Sequence, residues 1–138
     1  MRVLVCGASG CVGAAVVQAL RGRGHRVVAT MHRAAPEPAS GDAVRLDFMV
    51  ETSAERWAER LVELDVDAIV NAVGILMPSR SASFERVHTG GPIELFRGAA
   101  LAGIDRIVQV SALGVGGRDE PAYLGSKRLA DEALLALP

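Results

Sequence analysis

A doubly wound parallel α/β sheet of about five strands is the fold class this sequence predicts, and three observations predict it. Short strand-like runs recur along the chain at Val3–Cys6, Arg26–Met31, Val44–Asp47, Ala68–Val70 and Arg106–Val110. Segments with helical periodicity separate most of them. The first run passes through a glycine turn, Gly7-Ala8-Ser9-Gly10-Cys11-Val12-Gly13, straight into the helical pattern Val12, Val16, Ala19, Leu20. Strands alternating with helices of this length require right-handed crossovers and a parallel sheet covered on both faces.

Each element has a local reason. Gly24 stops the first helix, and the Pro- and Ala-rich stretch Ala34–Gly41 reads as a loop after the second strand. Thr52 and Glu55 have capping-box spacing ahead of Ala54, Trp57, Ala58, Leu61 and Val62, which follow a helical period and assign Trp57 to a packing face. The fourth strand is short and continuously apolar, as a strand buried on both sides should be. Phe84–Ala102 is helical in tendency but interrupted by Gly90-Gly91-Pro92, so a kink or two shorter helices is expected, with Gly103 ending it. Pro121–Leu137 forms the last helix, with Asp119 and Glu120 favourably placed near its N-terminus.

Composition narrows the function. The 138 residues, 14.4 kDa, make one domain, 1–138, and 50% hydrophobic residues suffice for a core. A net charge of -1 with 4% aromatic residues leaves neither a basic phosphate-tracking surface nor stacking platforms, so no nucleic-acid partner is expected. The apolar runs fall short of the roughly 20 residues a membrane span needs. The N-terminus enters a strand at once, without a signal-peptide pattern, so a cytoplasmic address is expected. Cys6 and Cys11 read as two small buried, reduced thiols. No metal site is read.

Two motifs carry chemistry. In a strand–turn–helix context, Gly7, Ser9, Gly10, Cys11, Val12 and Gly13 form a dinucleotide cradle, because glycines allow a tight turn, close approach to a pyrophosphate and close helix packing at a helix N-terminus. Near the C-terminus Tyr123 and Lys127 stand one helical turn apart, on one face, and a cation beside a phenol favours the phenolate. The fifth strand delivers Ser111, a hydroxyl able to hold a substrate oxygen. The glycine turn, His32 and Arg33, Asp47, Asn71–Gly74 and Ser111 each follow the carboxyl end of a strand, where ligands of such sheets bind.

In these motifs the chain resembles the short-chain dehydrogenase/reductase superfamily, in its extended and atypical branches, over nearly its whole length. Gly7, Gly10 and Gly13 match the glycine spacing, and Asp47-Phe48 resembles the adenine-site step. Asn71-Ala72-Val73-Gly74 resembles the segment lining the cofactor ribose, and Ser111, Tyr123 and Lys127 match the catalytic set. The wording around Phe84–His88, Val110–Gly114 and Tyr123–Lys127 is similar to atypical members related to a respiratory complex I accessory subunit.

The resemblance implies a Rossmann-type sheet in the order 3-2-1-4-5, an NAD or NADP cofactor, and hydride transfer to a carbonyl-type substrate. Tyr123 would be the proton donor, Lys127 would hold the nicotinamide ribose, and Ser111 would orient the reacting oxygen. No acidic residue follows the second strand between Ala29 and Pro36, where His32 and Arg33 stand, and an arginine fork suits a 2′-phosphate; NADP is therefore preferred over NAD. His88 occupies a position where extended members commonly carry Asn, and is expected to be a hydrogen-bonded core histidine.

Only 11 residues follow Lys127, so the substrate-binding lobe of extended relatives is expected to be absent. That leaves the fifth strand as an edge for a partner to cover, or a homodimer through the last two helices, with Ala130, Ala133, Leu134 and Leu137 as contact residues. Two alternatives stand beside the oxidoreductase reading: a non-catalytic NAD(P)-binding structural or redox-sensing module, and part of a nucleotide-sugar epimerase or dehydratase.

Overall fold

Strand direction and helix side together place a crevice at the middle of the sheet. The structure is a computed structural model and describes residues 1–31, 43–45, 47–48 and 53–138. Its elements are β1 (Arg2–Cys6), α1 (Cys11–Gly22), β2 (Arg26–Met31), β3 (Ala43–Arg45), α2 (Ala54–Glu63), β4 (Ala68–Asn71), a π-helical turn (Glu85–Gly90), α3 (Gly91–Leu101), β5 (Ile107–Gln109) and α4 (Ala122–Leu135). All pairs are parallel, in the order β3-β2-β1-β4-β5, as the resemblance implied. The order reverses direction between β1 and β4. A right-handed crossover going one way from β1 puts α1 on one face, and crossovers going the other way put α2 and α3 on the opposite face.

Side-chain alternation along the strands fills both layers. Val3, Val5 and Val27 face α1, where Val16, Val17 and Leu20 meet them. Leu4, Cys6, Val28 and Ile69 point the other way into a larger core with Trp57, Leu61, Leu95 and Phe96. Trp57 is fully buried and meets Phe48 edge-on at 5.7 Å, the packing role its periodicity predicts. Ala130 is likewise fully buried in this chain's own core, with Leu134 and Leu137 packed against it. Ala130 is therefore covered within the chain, while Leu134 and Leu137 keep part of their surface exposed.

Three local expectations change in detail. The cap of α2 is Ser53, whose Oγ accepts the Arg56 amide at 3.4 Å; Thr52 lies outside the described residues. The interruption at Gly90-Gly91-Pro92 takes the form of a π-helical turn, in which the Gly91 amide reaches back five residues to the Arg86 carbonyl. Pro92 has no N–H to continue the ordinary ladder, so the helix widens there before α3 resumes. Glu120 does not cap α4; its carboxylate accepts from the Gly116 amide at 2.7 Å and Arg128 Nε at 2.9 Å, and these bonds hold its carboxyl below the usual carboxylate range.

Contact between α2 and α3 depends on Gly98. A Cβ built there would lie 2.3 Å from Trp57 Cβ and 2.7 Å from the Ala54 carbonyl oxygen. Helix propensity alone would make Gly98→Ala stabilising by about 1 kcal/mol. Overlap with Trp57 and with α2 backbone reverses the sign, and a net loss of about 1–3 kcal/mol is expected in urea unfolding of the variant.

Candidate functional site

The glycine turn folds as a cradle because three backbones meet there. Gly7 adopts φ +79°, and a Cβ on it would sit 2.9 Å from Ala72 backbone atoms. A Cβ on Gly13 would sit 2.1 Å from the Gly7 carbonyl oxygen, so α1 lies directly on the turn. Buried Thr30 ties the turn to β2, accepting the Gly7 amide on its hydroxyl at 3.3 Å and the Ala8 amide on its carbonyl at 3.1 Å. Helix α1 begins at Gly10 without a side-chain cap and without an acidic residue in its first turn. Its opening amides suit an anion from outside the chain, and the residues present fit a dinucleotide diphosphate.

A cavity of about 230 Å³ lies beside the cradle, between the ends of β1 and β4. Gly7, Ser9, Gly10, Thr30, Asp47, Phe48 and the run Ala72–Ile75 line it, so the structure brings most of the expected cofactor residues together. Cys11 and Val12 are exposed at the start of α1 and do not line the cavity. Exposure of Cys11 corrects its expected burial; Cys6 is buried, and burial pushes its thiol up to about 12. His32 and Arg33 lie outside the described residues. Asn71 is fully buried behind the cavity, where its Oδ1 accepts the Val73 amide at 3.2 Å and its Nδ2 donates to Gln109 at 2.7 Å. It shapes the loop after β4 rather than facing its contents.

Helix α4 brings the reactive candidates to the same place. Lys127 is 4% exposed, and its ammonium donates to the carbonyls of Val73 at 3.2 Å and Val110 at 3.1 Å, the exits of β4 and β5. Desolvation lowers its pKa, against the opposing charge of Asp131. An ammonium has three donors, so one remains for a ligand. Tyr123, one turn earlier and half-buried, meets the rings of His88 at 5.3 Å and Phe84 at 5.8 Å edge-on. Ser111 is exposed and gives its proton to Asp131 Oδ2.

His88 is fully buried, the core histidine that was expected, and both ring nitrogens are engaged. Nε2 accepts the Ile75 amide at 2.9 Å, so it carries no proton. Nδ1 therefore bears the hydrogen and donates to Ser126 Oγ at 2.9 Å, and Ser126 donates to the Tyr123 carbonyl at 2.7 Å. Sequence reasoning missed Thr30, Ile75, Phe84, Ser126 and Asp131. Of these, Asp131 had a readable signal, since it continues the four-residue spacing of Tyr123 and Lys127. Among the described residues no cluster of three potential metal ligands occurs, and no helix is long and apolar enough to cross a membrane.

Sheet order, glycine cradle and crevice define a Rossmann-type dinucleotide-binding protein. The model of the NAD dependent epimerase/dehydratase family matches residues 3–134, and the chain belongs to that family, within the short-chain dehydrogenase/reductase superfamily. A 3-diazoavenalumate denitrifying reductase of a Streptomyces species is 34% identical over 114 residues, which are 80% of this chain and 38% of the reductase. A putative NAD-dependent epimerase/dehydratase from Bacillus halodurans superposes with TM-score 0.77 at 29% identity, covering 97% of this chain and 64% of that one. A short-chain dehydrogenase/reductase superfamily protein from Agrobacterium tumefaciens, solved with bound NAD, gives TM-score 0.73 at 25% identity, over 97% of this chain and 44% of that one. The chain thus spans well under two thirds of the curated relative's length.

Burial lowers the pKa of His88 to about 4 from an ordinary 6.5, with the Lys127 charge adding to the effect. Between those values the unfolded chain binds a proton there that the folded chain refuses, so this contribution to stability is full above pH 6.5 and is lost as pH falls toward 4. The melting temperature should drop over that window, and drop less steeply in His88→Gln.

Proposed function

We propose that this chain forms the cofactor-binding and proton-transfer part of an NAD(P)-dependent oxidoreductase that reduces a carbonyl or an activated double bond. The observation that carries the reading is that the chain's single tyrosine and single lysine, Tyr123 and Lys127, stand one helical turn apart, with the lysine buried at the crevice. The other fourteen basic side chains are arginines, so a solubilising role for Lys127 has neither composition nor exposure behind it.

The cofactor supplies a hydride when bound. Tyr123 gives its phenolic proton to the substrate oxygen that gains charge. Lys127 would turn its remaining donor toward a cofactor hydroxyl. Ser111 positions the reacting oxygen. Gly7, Gly10 and the start of α1 would hold the diphosphate, and Ala72, Val73 and Gly74 would face the sugar. Tyr123→Phe should lower turnover by at least about a hundredfold, the scale of general acid catalysis, while calorimetry finds cofactor affinity within about twofold of the parent.

For the cofactor we favour NADP, because Arg33 stands where an acidic residue would select NAD. The family description and the NAD-bound relative support NAD. Arg33→Asp decides: NADPH affinity should fall about tenfold or more with NADH affinity little changed, and an equal loss of both removes the NADP assignment.

A second reading follows from the family description, an epimerase or dehydratase that keeps its NAD and returns the hydride. Net consumption of NAD(P)H during turnover distinguishes the two. We propose a location inside the cell, in keeping with two free thiols and a nucleotide cofactor.

A further inference from the structure

We propose that Asp131 is a positioning residue of this site, which holds the Ser111 hydroxyl at the end of β5 and supplies the counter-charge that lets buried Lys127 stay an ammonium. The inference rests on the reading of Lys127 as the residue that meets the cofactor. On α4, residues 123, 127 and 131 are four apart and share the face turned to the exits of β4 and β5.

Asp131 is placed oddly for a structural carboxylate. One oxygen accepts the Ser111 proton, and the other is shut off from solvent with no protein donor. One bond to an exposed serine is a poor exchange for a desolvated oxygen, so packing does not explain an acid here. Electrostatics does. Lys127 bonds only to carbonyls, and the other groups on its sides are Tyr123 and Asp131 on α4, His88 from the π-helical turn and Ser111 from the end of β5. His88 is held neutral, which leaves Asp131 as the negative charge acting on Lys127 among the described residues.

The same carboxylate fixes what Ser111 can do. While its proton points at Asp131, the hydroxyl presents only lone pairs to a substrate, and can accept from an alcohol or a protonated product. Donating to a carbonyl requires it to turn away from Asp131.

Because Lys127 is the only lysine, its ε-carbon signal can be followed by NMR in the full chain after isotopic labelling of lysine. Asp131→Asn keeps the shape and removes the charge; the Lys127 titration midpoint should move down by about one pH unit, at the lower end of what a neighbouring opposite charge does. Asp131→Glu should restore it. Ser111→Ala, which keeps the carboxylate, should leave it within a few tenths of a unit. A midpoint equal to the parent's in Asp131→Asn overturns the proposal. So does a shift as large in Ser111→Ala, a variant that also decides the matter if Asp131→Asn does not fold. Calorimetry with NADH and NADPH on the same samples separates this from the functional reading: a parent chain that binds neither refutes the role of Lys127, while its titration still tests Asp131.

Discussion

One buried ammonium joins the two halves of the crevice. Lys127 reaches from α4 to the carbonyls at which β4 and β5 end, so a single side chain fixes the helix bearing Tyr123 against the strand exits on both sides of it. These carbonyls follow the last hydrogen-bonded residues of their strands and need a donor. A compact ammonium at the end of a flexible stem can serve both and keep a third donor for a ligand. A planar guanidinium has a different fork and more bulk, which gives a physical reason for a lysine in a chain that uses arginine at every other basic position outside histidine.

Around that ammonium the loop after β4 is pinned by side chains that bond to backbone. Asn71 fixes the Val73 amide from behind the cavity, and His88 fixes the Ile75 amide from the π-helical turn. The widened turn is what brings His88 there. Pro92 interrupts the helix just after it, the Gly91 amide reaches back to Arg86, and the ring enters the space between the β4 exit and α4. The histidine then donates its one N–H to Ser126 Oγ, whose own hydroxyl donates to the Tyr123 carbonyl on the first turn of α4. Sites on both sides of the crevice are thus tied through one neutral ring beside one cation.

The fold was legible in the sequence because its signals are local. Apolar runs, a glycine turn and helical periods sit at every boundary, and the strand order came from the resemblance rather than from any period. The glycine turn and the Tyr123–Lys127 pair were legible for the same reason, each being contained within seven residues. What escaped were contacts made across the chain: Thr30 beneath the glycine turn, His88 on Ile75, Ser111 on Asp131. That Asn71 is buried behind the cavity was not legible, since periodicity does not tell which side a residue at the end of a strand takes. The burial of Ala130 was not legible either, because an apolar helix face looks alike whether the same chain or a second copy covers it.

The way the crevice is built also explains how so little identity preserves so much shape. Along the cradle side of the cavity the wall is Gly7, Gly10, Ala72, Val73 and Gly74, residues that contribute mainly backbone, while Phe48, Ile75 and Val87 add side chains. Backbone donors and carbonyls do not change with the side chain, so the wall constrains size more than identity. The demanding positions are few: Gly7 and Gly13, where any Cβ meets backbone under 3 Å away, and Lys127, whose ammonium must reach two carbonyls at once. A relative 29% identical can then superpose with TM-score 0.77. Side chains are freer to vary on the loops that follow β4 and β5, where Leu76, Met77 and Leu113 are almost wholly exposed. A crevice wall built on backbone and a few chemically reactive side chains are in this way separable, and within one fold the second can change while the first is kept.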